Sequence, residues 1–85
     1  MPREFAVIIG MENEKIDEIV VRAFEENNGR VPLEELTRRL VKGIKFDPII
    51  VLSEGDPKLD ECRGCNCYEY ELKDGIIYRF PSPEN

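Results

Sequence analysis

Tyr68-Glu69-Tyr70-Glu71-Leu72-Lys73-Asp74-Gly75-Ile76-Ile77-Tyr78-Arg79-Phe80 reads as a β-hairpin, and the pairing of its two arms decides where the core lies. Tyr68, Tyr70 and Leu72 alternate with Glu69 and Glu71, and Ile76, Tyr78 and Phe80 alternate with Ile77 and Arg79. Successive side chains of a strand point to opposite faces, so a sound register puts both apolar sets on one face. A two-residue Asp74-Gly75 turn fails this test, because it sets Tyr70 opposite Arg79. A three-residue loop, Lys73-Asp74-Gly75 with Gly75 left-handed in a G1 bulge, pairs Leu72 with Ile76, Tyr70 with Tyr78 and Tyr68 with Phe80. That is the expected register.

Working outward, Ile16, Ile19, Val20, Ala23 and Phe24 fall at i, i+3, i+4, i+7 and i+8, the stripe of an amphipathic helix. Asn13 can cap it and Asn28-Gly29 supplies a left-handed stop, giving a helix over 13–28. Val31-Pro32 leads into a second helix over 33–42, with Leu33, Leu36 and Leu40 inward and Gly43 just past its end. Glu4 to Ile9 is a short β-branched run closed by Gly10 and reads as a strand; Asp47-Pro48 could cap a short helix stopped by Gly55, yet the three β-branched residues in succession within Pro48 to Leu52 favour a strand there too. Residues 53–61 read as an acidic loop. The expected architecture is α+β: two helices packed on one face of a small, mainly antiparallel sheet built from 4–9, 48–52, 67–72 and 76–80. It occupies residues 1–80 as a single domain, followed by a frayed tail, 81–85.

A chain of 85 residues can build one core at most. Its hydrophobic fraction of 41% is enough to fold it, while the charged fraction of 35%, the absence of Trp and His, and the wealth of Glu, Lys and Arg resemble thermophile composition. The net charge of −6 repels phosphate backbones and argues against nucleic acid. Phe5 to Gly10, the longest apolar run, is about a third of a membrane span and follows charged residues, so neither a membrane nor a secretory leader is expected, and the location is cytoplasmic.

The only concentrated site chemistry is Cys62-Arg63-Gly64-Cys65-Asn66-Cys67, which holds all three cysteines within six residues. A Cys-x-x-Cys turn can aim two thiolates at one zinc ion, but a tetrahedral site needs four ligands and the chain has no histidine. Cys62, Cys65, Cys67 and Glu69 form the candidate set, with Asp60 or Glu61 as other oxygen donors. A structural disulfide, Cys62 to Cys67 or Cys62 to Cys65, competes with zinc, as do three silent thiols. Thiol catalysis has little support, since only Arg63 is close enough to depress a thiol pKa and Asp60 and Glu61 oppose it.

Other clusters have structural readings beside the functional ones. Arg30, Arg38, Arg39, Lys42 and Lys45 form a candidate basic surface for phosphate, yet Glu34 with Arg38 and Glu35 with Arg39 are i, i+4 pairs that already use part of it. Glu54, Asp56, Asp60 and Glu61 form a candidate calcium loop without the ordered spacing of an EF-hand. The aromatic stripe Tyr68, Tyr70, Tyr78 and Phe80 can stack bases, but half-buried core is the better reading. With no histidine, two serines and one threonine, a hydrolytic triad cannot be assembled. No enzyme activity is expected.

Ile16 through Val41, and above all Asn27-Asn28-Gly29-Arg30-Val31-Pro32-Leu33-Glu34-Glu35-Leu36-Thr37-Arg38-Arg39-Leu40, resembles the first half of a winged-helix domain, with the 67–80 hairpin as the wing. The resemblance implies a helix, short strand, helix order and, as an alternative function, a nucleic-acid-binding transcriptional regulator. Phe46 to Leu52, at the place of a recognition helix, carries no base-reading side chain, so the resemblance implies a version that contacts protein. The leading expectation is a small acidic interaction module that binds a protein partner or itself, with its cysteines as a disulfide or zinc staple.

Overall fold

The computed structural model describes residues 3–10, 12–63 and 67–80. The elements run β1 (Glu4–Ile9), α1 (Glu14–Glu26), β2 (Arg30–Pro32), α2 (Leu33–Ile44), β3 (Ile49–Ser53), α3 (Pro57–Arg63), β4 (Cys67–Lys73) and β5 (Ile76–Tyr78). All five strands form one antiparallel sheet in the order β2-β5-β4-β1-β3. The chain is therefore α+β, with a small antiparallel sheet as expected.

Local chemistry explains the first helix. The Asn13 side chain accepts from the Lys15 N–H at 2.9 Å, satisfying one of the donors that a helix start leaves open. At the other end Asn28 and Gly29 both adopt positive φ, and the Gly29 N–H returns to the Phe24 carbonyl at 2.8 Å. Ile16, Val20, Ala23 and Phe24 are the buried positions of α1, as the spacing predicts. They meet Ala6, Ile8, Val31, Leu36, Leu40, Leu72 and Ile77 in the main core, between the two long helices and one face of the sheet.

Three expectations are corrected. The hairpin closes through the two-residue Asp74-Gly75 turn, with Lys73 opposite Ile76, Leu72 opposite Ile77 and Glu71 opposite Tyr78. Both turn residues have positive φ, 53° and 76°, the combination whose twist suits adjoining strands. Ile77 is thus the core residue of β5, while Ile76 and Tyr78 are only half-buried on the opposite face. The alternation Ile76, Tyr78, Phe80 misled because β5 ends at Tyr78 and Phe80 is 70% exposed.

Second, α2 runs on to Ile44, with Gly43 inside it. The stop is Lys45, left-handed at φ 70°, its N–H bonded to the Val41 carbonyl at 2.9 Å. Third, residues 57–61 of the expected acidic loop, together with Cys62 and Arg63, form α3, which covers the other face of the sheet. Asp56 accepts from the Lys58 N–H at 2.9 Å and Pro57 opens the first turn, a start that needs no donor at that position. Leu59 then joins Phe5, Val7 and Leu52 in a second, smaller core. β2 is an additional strand in the sheet, joined to β5.

Candidate functional site

The cysteine cluster lies where α3 meets the second core. Register places Cys67, Glu69 and Glu71 on the sheet face away from α1 and α2, aligned with Ile9, Val7 and Phe5 of β1. Leu59 and Cys62, three apart on α3, point at that face, and both Cys62 and Cys67 pack against the Phe5, Val7, Leu52 and Leu59 cluster. Cys62 and Cys67, one of the two expected disulfide pairs, are not bridged to each other; the Cys67 Sγ–H donates to the main-chain carbonyl of Cys62 at 2.8 Å. Cys65, with the pairing and ligand roles expected of it, lies outside the described residues.

Glu69, the expected fourth zinc ligand, is held by Arg63 through two parallel bonds, Nε to Oε1 at 2.9 Å and Nη2 to Oε2 at 3.1 Å. That fork keeps the Arg63 pKa above its ordinary value. A metal ion taking Glu69 would have to displace the guanidinium. Among the described residues no three His, Cys, Asp or Glu side chains converge as a metal-holding group.

The acidic residues of the expected calcium loop are dispersed in role. Asp56 starts α3 and Asp60 sits 3.6 Å from Arg63. A recess of about 290 Å³ beside α3 is lined in part by Arg3, Glu54, Asp56, Asp60 and Arg63. Its charges answer one another: Arg3 pairs with Glu71 and lies over the Phe5 ring, Arg63 pairs with Glu69, and Asp56 caps the helix.

The basic set is likewise divided. Arg39 bridges the two long helices, bonding Glu26 and Glu35 at 2.9 Å each; the bond to Glu26 is the main reason its pKa rises. Arg38 lies 3.9 Å from Glu35, and the Lys45 ammonium turns back to the Lys42 carbonyl. Arg30 belongs to β2, in register with Tyr78, so its side chain is on the sheet face away from α1 and α2. The aromatic stripe also splits. Tyr70 packs against Phe24 with ring centroids 5.0 Å apart and Tyr68 at 5.8 Å, whereas Tyr78 lies on the other face. Burial pushes the Tyr70 phenol up to about 12, with Tyr68 and Asp17 adding to the shift and Arg79 opposing it.

The feature that the sequence reading missed is the outer edge of β3. It ends the sheet, pairing on one side with β1. The Ile9 N–H bonds the Pro48 carbonyl and the Glu54 N–H bonds the Arg3 carbonyl, so alternation along the ladder commits the backbone of Ile50 and Leu52 to β1. The backbone groups of Ile49, Val51 and Ser53 face outward. Two of these six are answered locally, the Ile49 N–H by the Asp47 carboxylate at 3.0 Å and the Ser53 carbonyl by the Asp56 N–H at 3.0 Å. The Val51 N–H, the Val51 carbonyl, the Ser53 N–H and the Ile49 carbonyl have no partner among the described residues.

Side chains do not guard this edge. Ile49 to Ser53 carries no charge and no proline, the strand has no bulge, and Ile50 and Val51 are 38% and 43% exposed. The opposite edge differs. β2 has three residues, Pro32 has no N–H to offer, and the Arg30 N–H already bonds the Asn27 carbonyl at 3.2 Å. Its outer side presents no open donor among the described residues.

No helix is long and apolar enough to cross a membrane among the described residues. No family model, curated protein or solved structure matches the chain.

Proposed function

We propose that this chain is a small non-catalytic interaction module that takes an extended segment of a protein partner alongside β3, continuing its sheet by one strand. The observation that carries this reading is the unguarded outer edge of β3, with open donors and acceptors between two exposed aliphatic side chains. A sheet edge of this kind ordinarily carries lysine, proline or a bulge, and β2 shows the protection that β3 lacks. The cysteine cluster belongs to the same module as a structural element. The packing of Cys62 and Cys67 against Phe5, Val7, Leu52 and Leu59 supports a packing role beneath α3 more than a reactive thiol.

The test is selection of random peptides displayed on phage against the immobilised protein, followed by titration of the recovered peptides into labelled protein under NMR observation. Chemical-shift changes centred on the Val51 and Ser53 amides are expected. Recovered peptides that all map to α1, α2 or the α3 recess would refute strand addition at β3.

A further inference from the structure

We infer that the segment β3 receives is β3 of a second copy of this chain, in an antiparallel pair whose twofold axis passes through Val51. The inference rests on the strand-addition reading and names its partner. Four backbone groups are open on the edge, and they are self-complementary. With Val51 opposite Val51 of the second copy, each Val51 N–H donates to the other's carbonyl, and each Ser53 N–H donates to the Ile49 carbonyl across the axis. All four open groups of each copy are used, in four bonds. The two groups that this register would leave facing each other, the Ile49 N–H and the Ser53 carbonyl, are the two already answered by Asp47 and Asp56.

Neighbouring registers do worse. An axis through Ile50 aligns Ile49 with Val51 of the second copy, and half the bonds then need the Ile49 N–H that Asp47 occupies. An axis through Leu52 aligns Val51 with Ser53, and half then need the Ser53 carbonyl that Asp56 occupies. Each retains two bonds where the Val51 axis makes four.

Side chains suit the same register. Val51 meets its counterpart on the face that carries α1 and α2, and Ile50 meets Leu52 on the other, so the exposed aliphatic surface of both strands is covered. Five residues a side is well short of the roughly 20–30 of a standard interface, so the dimer is transient, with a dissociation constant between about 1 μM and 1 mM. Each copy carries a charge of −6, so added salt tightens the association by screening the repulsion.

Sedimentation velocity across about 1 μM to 1 mM tests this, together with hydrogen exchange at the two ends of that range. The expected result is a monomer–dimer equilibrium abolished by Val51→Lys, with protection rising with concentration at the Val51 and Ser53 amides. The Ile50 and Leu52 amides, bonded to β1, are protected throughout. A chain that stays monomeric, grows beyond two copies, or dimerises equally well with Val51→Lys overturns the inference. So does concentration-dependent protection elsewhere, a readout on the unaltered chain that holds even if the variant fails to fold. A monomer at every concentration leaves strand addition to be decided by the peptide selection, whereas failure of both removes β3 as a binding edge.

Discussion

Gly43 offers a sharp check on how closely the two long helices approach. It lies in the last turn of α2, outside the left-handed region, where a Cβ would stand 2.6 Å from Ile19 Cδ1 of α1 and 3.7 Å from its Cγ1. Two effects oppose each other in Gly43→Ala. Removing a glycine from a helix stabilises by about 1 kcal/mol, while forcing a methyl into a filled contact costs about 1–3 kcal/mol. Ile19 can turn its terminal methyl, but it packs against the main core and can yield only in part. A cost near 2 kcal/mol leaves Gly43→Ala destabilising by about 1 kcal/mol. Ile19→Val deletes the obstructing atom and on its own costs about 1 kcal/mol. In that background Gly43→Ala should instead stabilise by up to about 1 kcal/mol, a coupling of about 2 kcal/mol across the cycle. Urea unfolding followed by circular dichroism on the four proteins measures it. If Gly43→Ala raises stability by about 1 kcal/mol with Ile19 intact, and the coupling is below about 0.5 kcal/mol, the helices are not in contact there and the reasoning fails.

Two further outcomes follow from local structure. Tyr70 titrates near 12 in the folded chain against about 10 when unfolded, so the folded state holds this proton more tightly. Its contribution is complete below about pH 10 and is lost as pH rises towards 12; urea midpoints at pH 8 and 11 should therefore fall further for the natural chain than for Tyr70→Phe, and equal falls would refute the coupling. Lys45→Gly relieves a left-handed side chain at the end of α2 and should raise stability by about 1 kcal/mol, visible as a thermal midpoint several degrees higher; an unchanged or lower midpoint would mean that the bond from Lys45 to the Lys42 carbonyl matters more than the backbone.

The helices were the most legible part of the sequence because their signals are local. Asn13, the 3.6-residue stripe from Ile16 to Phe24 and the Asn28-Gly29 stop act within a few residues of one another and needed no knowledge of the rest of the chain. Gly43 shows how such a signal can mislead. Read alone it is a helix stop; in the fold it is the small residue that lets α2 lie against Ile19, and Lys45 accepts the strained conformation two residues later. The hairpin register failed for a related reason. Alternation favoured Ile76, Tyr78 and Phe80 as the inward set, but the deciding energy was the twist of the Asp74-Gly75 turn together with burial of Ile77 beside Leu72 and Val31. α3 did have a readable start in Asp56-Pro57, with Leu59 and Cys62 one turn apart, but four acidic side chains in the same stretch made it look like solvated loop.

The binding edge was of another kind, because no residue in Ile49 to Ser53 marks it. An apolar β-branched run is what a fully enclosed central strand looks like, and such a strand here would have been unremarkable. What makes β3 a candidate site is that sheet order places it outermost, and sheet order depends on the N-terminal β1 being flanked by β3 and β4, both from the second half of the chain. Its register of open groups is more distant still from sequence. It exists because Asp47 turns back on Ile49 and Asp56, while starting α3, turns back on Ser53. The Asp47 side chain and the Asp56 main-chain N–H, one at each end of β3, thereby set which bonds a partner strand can make. Asp47→Ala would reopen the Ile49 N–H and let the competing register through Ile50 form all its bonds, whereas the register through Leu52 stays closed, because the Ser53 carbonyl is held by the Asp56 main-chain N–H. The aspartates act as filters on register, a role that composition and spacing cannot show and that a sheet edge makes visible.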